Sequence, residues 1–425
     1  MKKKAIALAV GAMCVAPAAQ SQIMFGNDTI GTVQFYGKLY PQYMWGTSKG
    51  ATQPGDTVST LVSTTGVVPA GPAVTDNGSR LAVDSQNTYL GFRGERALGS
   101  SGFKGIWQVE QSILIDTGTS TTGGNGFSNR NSFLGLSHRH GTIKLGNMDT
   151  IYKDYGDTMQ MFGTSSGNFT SASNVLSHIG IGSNSAARFH ERQPNSVQIE
   201  SGEYAGVKAG FQYSPDEQKG DRAPASTNNN LNRNLFSYGV KWNSGPVYLS
   251  AQHELHNDRF GASVNIPVAA FKNDSTPGAH SKDTATRLTG EYRIGGHRIV
   301  GDIAWLEYKE TGQAAGTKFE KYKKTNWDIG WDARWTDTWR TAVQYVQAGA
   351  GTCTLTGGVD CSTSGLKGRM LNAGVAFAFD RQTFLYVIAG KLWNGTSSVY
   401  DNWAPGNPQR GADITQAALG MSYVF

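Results

Sequence analysis

The connections between extended segments alternate strictly in length, and no other feature of this sequence restricts its fold so tightly. From Val33 onward, runs of about ten residues with apolar and polar positions in alternation follow one another to the last residue, Phe425. Tight turns such as Asn243–Pro246, Gly295–His297, Thr336–Thr338 and Asp380–Gln382 join them at one end. Polar loops rich in Gly, Ser, Thr and Asn join them at the other, at residues 51–77, 117–128, 148–187, 215–233, 256–282, 311–323 and 394–411. About sixteen strands are expected. An even number of strands near ten residues, with short turns opposite long loops, predicts an all-β transmembrane antiparallel β-barrel.

Composition fits that reading. Glycine is 54 of 425 residues and charged residues are 16%, which suits many strands and turns and leaves no Leu-rich helical heptads. The strand beginning at Val33 shows the two faces. Val33, Phe35 and Leu39 fall on one side, and Gln34, Tyr36, Lys38 and Tyr40 on the other, until Pro41 interrupts the ladder. Trp242, Trp331, Trp335, Trp339, Phe377, Phe379 and Phe384 gather near the turn ends, where aromatic rings suit a membrane–water boundary. An open sheet edge in hydrocarbon leaves unpaired backbone groups, so the last strand must pair with the first.

The first residues read as a secretory signal peptide, residues 1–18, with a basic MKKK, a short apolar stretch and cleavage at 18/19 or 19/20. Residues 19–425 then form one barrel domain. Full-chain charge is +6, with 38 basic and 32 acidic residues, which is no nucleic-acid-binding balance. No H-E-x-x-H occurs and no enzyme is expected, and neither metal nor cofactor. His138 and His140 flank Arg139 in a tight turn and read as a basic rim. Cys353 and Cys361 read as a disulfide closing a loop in an exported protein.

One loop stands apart. Between the strands that end near Asn147 and resume at Arg188, about forty residues show no period, and a loop of that length in a compact domain is expected to be functional. It is expected inside the barrel, narrowing it. A charge facing lipid at the midplane costs roughly 2–4 kcal/mol, so Lys38, Arg130, Arg188 and Arg192 are expected to face the lumen. Arg188 and Arg192 are read on one strand at a shared parity. Asp149, Asp154 and Asp157 open the loop, and residues 158–187 carry no charge and are expected to pack on the wall.

The segments FYGKL (Phe35–Leu39), YLGFRGERALGSSGFKGIWQVE (Tyr89–Glu110), RNSFLGLSHRHGTIKLGN (Arg130–Asn147) and the aromatic C-terminus resemble the sixteen-stranded, trimeric general porins of Gram-negative bacteria, of the beta-proteobacterial kind. The resemblance implies an outer-membrane homotrimer, with the third long loop folded into the lumen as the constriction. It implies basic wall residues at Lys38, Arg130, Arg188 and Arg192 facing loop acids at Asp149, Asp154 and Asp157, and a terminal Phe425 read by the barrel-assembly machinery. Tyr89 and Asn147 stand where the family often carries Arg, which thins the ladder. The expected function is passive diffusion of small hydrophilic solutes and ions with mild anion preference. A channel selective for small organic acids, and an exported all-β adhesin or binding protein, are the alternatives.

Overall fold

The computed structural model describes residues 23–27, 29–52, 76–117, 128–163, 168–181, 188–217, 231–266, 271–273, 278–401 and 408–425. The expected signal peptide and its cleavage point lie outside them. The strands are β1 (Ile23–Asn27), β2 (Gly31–Leu39), β3 (Pro41–Lys49), β4 (Asn77–Ser85), β5 (Tyr89–Ala97), β6 (Lys104–Ser112), β7 (Ser132–His138) and β8 (Gly141–Asp149). Two short helices, α1 (Ile151–Gly156) and α2 (Ser173–Leu176), lie in the long loop. Next come β9 (Arg192–Ser201), β10 (Val207–Ser214), β11 (Asn234–Ser244), β12 (Val247–Asn257), β13 (His280–Ile294), β14 (His297–Thr311) and β15 (Phe319–Arg334). The chain ends with β16 (Trp339–Ala348), β17 (Thr352–Leu355), β18 (Val359–Cys361), β19 (Gly368–Ala378), β20 (Thr383–Asn394) and β21 (Asp413–Val424).

All belong to one antiparallel sheet that closes on itself as a sixteen-strand barrel. The first two staves are each made of two strands, β2 with β3 and β4 with β5, and Pro41 marks the break in the first. Closure follows from β21 pairing with β3, from Gly420 opposite Gln42 to Asp413 opposite Lys49, and with β2 at Lys38 and Leu39. Phe425 and Gly37 exchange both backbone hydrogen bonds, at 3.0 and 3.1 Å. Where β21 stops, β1 takes over the ladder, Ile23 opposite Phe35 to Asn27 opposite Gly31. The sixteenth stave is thus built from both chain ends, and the sequence reading missed its N-terminal half.

Side chains follow the pleat. Along β11, Ser237 and Lys241 are buried inside, whereas Tyr238, Val240 and Trp242 are exposed outside. Two-residue turns close β11–β12 and β13–β14, with Gly245 and Gly295 at φ 54° and 55°, which L side chains adopt only with strain. Cys353 and Cys361 face each other across the β17–β18 hairpin and are disulfide-bonded, with Cα atoms 5.1 Å apart. That hairpin adds to the outer end of β15, Tyr322 opposite Cys353.

Two expectations need correction. The long loop is not structureless, since α1, a single turn at Met161–Gly163 and α2 order it. Arg188 is not on the strand with Arg192. β9 begins at Arg192, and Arg188 forms an isolated bridge with His178 inside the loop. His190 between them takes φ 75°, which breaks the extended run expected from the alternation.

The loop crosses the interior. Tyr152 of α1 donates its backbone N–H to Ser237 Oγ of β11 at 2.9 Å, and Ser250 Oγ of β12 donates to Tyr155 O at 2.9 Å. Arg298 of β14 reaches Thr158 O at 3.0 Å. The tip then meets the first stave, where Lys38 Nζ donates to Gly163 O at 2.5 Å and Tyr40 OH to Phe162 O at 2.9 Å. On the way back, Asn372 bonds Thr170 O, Asn326 bonds Val175 O and Leu176 O, and Lys324 bonds Ile179 O. Glycines admit this approach: a Cβ at Gly330 would lie 2.9 Å from Met159 Cγ. The apolar core therefore sits between loop and wall, with Val175, Leu176, Ile179, Ile181 and Phe189 against Tyr308, Phe319 and Tyr322.

Candidate functional site

The front half of the loop carries the acids. Thr150 caps α1 by accepting from the Lys153 N–H, and the helix buries Ile151, Tyr152 and Tyr155 while Asp154 stays exposed. Asp149, the last residue of β8, pairs with Lys153 at 3.0 Å and Arg192 at 3.2 Å. Asn131 joins them, donating to Asp149 Oδ2 and accepting from Arg192 Nε. Asp154 faces Lys241 of β11 at 3.7 Å. Asp157 faces His190 at 3.5 Å and accepts from Gln160 at 2.7 Å.

Burial and charge set the protonation of the loop groups. Partial desolvation inside the barrel raises the Asp154 carboxyl above its ordinary value, with Lys241 opposing and Glu200 adding to the rise. Asp157 moves the other way: burial would raise it, but His190, Lys153 and Arg287 hold it lower. Burial also lowers His190, and the Asp157 carboxylate offsets only part of this.

The four expected basic residues are placed as follows. Lys38 is buried, bonded to the loop tip and 4.0 Å above the Tyr40 ring. Arg130 precedes β7, pairs with Glu110 of β6, bonds Asn87 Oδ1 at 3.1 Å and stacks on Tyr89 at 4.5 Å. Its side chain turns inward, although strict alternation from Phe133 would send it outward, because β7 starts only at Ser132. Arg192 joins Asp149, and Arg188 pairs with Glu191 at 3.2 Å. Lys38 and Arg130 converge on one place through Asn87, whose Nδ2 also donates to Gly163 O at 3.2 Å.

Sequence reasoning missed a larger set of charges on the wall. Lys144 and Lys208 both pair with Glu200, at 2.9 and 2.8 Å. Arg298 and Arg340 both pair with Asp332, and Arg298 also reaches Glu291 at 3.5 Å. Each occupies the inward parity of a strand that the alternation had located. Their pairing, however, joins strands distant in the sequence. Exposure separates the partners. Glu200 is 7% exposed beneath lysines at 17%, and Asp332 is 6% exposed beneath Arg298 at 20% and Arg340 at 32%. On the loop the order reverses, with Asp154 at 39% and Lys241 at 4%. The wall therefore presents cationic ends to the lumen, and the loop presents carboxylates. Opposed rows of this kind set up a transverse field across a water-filled passage.

Comparison with known proteins agrees with the geometry. The family model for Gram-negative porins matches residues 5–397. The major outer membrane protein P.IB of Neisseria lactamica is 28% identical over 317 residues, covering 68% of this chain and 87% of its own. The P.IA protein of Neisseria meningitidis serogroup C is 26% identical over 257 residues, covering 56% of this chain and 62% of its own. Among solved structures, the anion-selective porin from Comamonas acidovorans superposes with a TM-score of 0.63 at 17% identity, over 92% of this chain and 99% of its own. The outer-membrane OmpT of Vibrio cholerae gives 0.59 at 14% identity, over 95% and 100%. With a closed sixteen-strand barrel, a loop folded across its lumen and a family match along nearly the whole length, this chain belongs to the Gram-negative porins, the outer-membrane channel proteins.

Proposed function

We propose that this porin lets small hydrophilic solutes and ions diffuse passively across the outer membrane and prefers anions. The observation that carries the preference is the exposure of the lumen ion pairs. The wall acids lie under their basic partners, so a passing solute meets Lys144, Lys208, Arg298 and Arg340 first. The solved porin from Comamonas acidovorans that shares this fold is itself described as anion-selective. Lys38, Arg130 and Arg192 with Asp149, Asp154 and Asp157 form the narrowest part in this reading, and Arg188 supports the loop from behind. Reversal potentials in a KCl gradient test it. Wild type should favour chloride, Arg298→Gln/Arg340→Gln should reduce that preference, and Asp154→Asn should increase it. Cation preference in the wild type overturns the reading.

The same reading gives a homotrimer, exported with its signal peptide removed and inserted by the assembly machinery through Phe425. Support for the trimer comes from wall height. β7 has seven residues, which at about 3.4 Å each and a tilt near 40° rise roughly 18 Å, less than the apolar band of about 25 Å. A wall that short cannot face lipid over its full height, whereas β14, with fifteen residues, can. The channel chemistry needs no catalytic group.

A further inference from the structure

The rear half of the long loop is held from two sides. One is the wall, through Asn326 and Asn372. The other is the outer rim, and its contacts begin at the disulfide. β17 continues the β15 ladder where β16 stops: Asn326 stands opposite Ala348, and Lys323 opposite Thr352. β18 has three residues and pairs with β17 alone among the described strands. So short a strand is marginal in water, and the Cys353–Cys361 bond is what keeps it in place.

From Cys361 the chain runs as a strap to β19 at Gly368. Thr363 Oγ1 donates to Gly351 O at 2.8 Å, which folds the strap against the base of the hairpin. The strap then grips the last long loop. Ser397 N donates to Gly365 O at 2.9 Å, Gly395 N to Lys367 O at 2.8 Å, and Tyr400 OH to Leu366 O at 3.3 Å.

That segment in turn touches the long loop of the lumen. Val399 N donates to Gly180 O at 2.9 Å, and the rings of Tyr400 and His178 meet edge-on with centroids 5.9 Å apart. Lys324 Nζ donates to Tyr400 OH at 2.5 Å and to Ile179 O at 2.9 Å, so one buried ammonium ties the two loops together. The sulfurs belong to the same apolar cluster. Cys353 and Cys361, at 3% and 8% exposed, share it with Leu355 and Leu366 of the rim and with Val175, Leu176, Ile179 and Ile181 of the loop. The front half is held elsewhere, by β11, β12, β14 and the first stave.

We propose that the Cys353–Cys361 disulfide is a redox latch on the channel: small thiols on the long-loop side open it, and the freed strap lets the rear half of the loop, proposed above as the constriction, move into the passage. A thiolate attacks Cys361, the more exposed sulfur, and forms a mixed disulfide, while Cys353 leaves and takes a proton. A second thiolate attacks the sulfur of the first thiol, Cys361 leaves and takes a proton, and the two reductant sulfurs depart joined. The protein gains two electrons and two protons, and two thiols become one disulfide. A bond across a separation of eight residues favours the ordered hairpin by roughly a hundred-fold, and that order is what reduction removes.

The test places the purified porin in planar bilayers and adds reduced glutathione or dithiothreitol on the long-loop side, with thiol labelling of Cys353 and Cys361 to follow the bond. Reduction should make brief current excursions about ten-fold more frequent, since part of the lost order is passed to the loop. It should also let chymotrypsin cut after Leu176. Ion preference should hold, because Asp154 and Lys241 belong to the front half and its wall. Oxidised glutathione should restore the quiet current. Cys353→Ser/Cys361→Ser should show the excursions without thiol and no response to it. Tyr400→Phe should show them with the disulfide intact, because it removes the hydroxyl that joins Leu366 to Lys324. Quiet current and no cleavage in reduced molecules overturn the latch, as does a bond that neither thiol opens in the folded channel, or a thiol response retained in the Ser variant. If the Ser variant fails to assemble, reduction of assembled wild type decides alone. Cleavage gained at unchanged current overturns control of the channel, and with it the reading of this loop as the constriction.

Discussion

At the residue scale, the contact between Lys38 and Gly163 fixes where the loop tip ends. A hydrogen bond from a charged group contributes about 1.5–3 kcal/mol, or roughly ten- to hundred-fold in the docking equilibrium of the tip. Lys38→Met should leave the barrel intact and increase open-channel current noise, measured on single channels in planar bilayers. His190 gives a pH test. Its imidazole is buried at 1% exposure, faces Asp157, and has Lys153 and Arg287 nearby. Held below its ordinary 6.5 when the loop is docked, it binds protons more weakly there than in the undocked loop. Docking is therefore strongest above that value and weakens as pH falls below it. Asp157 acts in a separate window, because a carboxylate held low loses its contribution only as pH falls through its lowered value. Wild type should show rising loop noise between neutral and mildly acidic pH. His190→Asn, which tolerates the left-handed backbone at φ 75°, should remove that step and leave the more acidic one.

At the element scale, the balance of terms says what docks the loop. Val175, Leu176, Ile179 and Ile181 are essentially fully buried, and each contributes about 1.5–3 kcal/mol, whereas a neutral hydrogen bond such as Asn372 to Thr170 O contributes about 1 kcal/mol. Asn372→Leu should leave conductance unchanged, and Val175→Asp/Leu176→Asp should undock the rear half and make it cleavable by added protease. The same balance explains what the sequence disclosed. Period-two alternation with short turns located the staves, and Gln34, Tyr36 and Lys38 fall on the buried face it assigned. A forty-residue stretch of Gly, Ser, Asn and Thr hid α1 and α2, because each has fewer than two turns and is held by wall groups rather than by its own propensity. The partners Asn326, Asn372 and Lys324 stand at readable inward positions, yet what they bind is set by a loop more than a hundred residues away. Arg298 and Arg340 escaped for the same reason: Asp332 joins them only once β14, β15 and β16 are side by side.

At the scale of the whole molecule, the barrel wall is uneven, and the unevenness predicts where copies meet. β6 to β10 have seven to ten residues each, while β13 to β15 have fifteen or sixteen. On the low side, Leu134 at 66% and Leu145 at 56% exposure stand on a wall too short to span the hydrocarbon alone. Water or head groups at that level would leave these side chains unburied, and a second copy of the barrel would bury them. If the proposed trimer meets there, Leu134→Glu/Leu145→Glu should dissociate it into folded monomers, seen as loss of a heat-sensitive oligomer on gels with the strand signal in circular dichroism retained. On the tall side, Leu288 faces outward on β13. A charge there meets lipid and costs roughly 2–4 kcal/mol of insertion, so Leu288→Lys should lower folding yield into bilayers and leave the surviving molecules trimeric. If Leu288→Lys dissociates the oligomer and the low-wall pair does not, the subunit interface lies on the tall side.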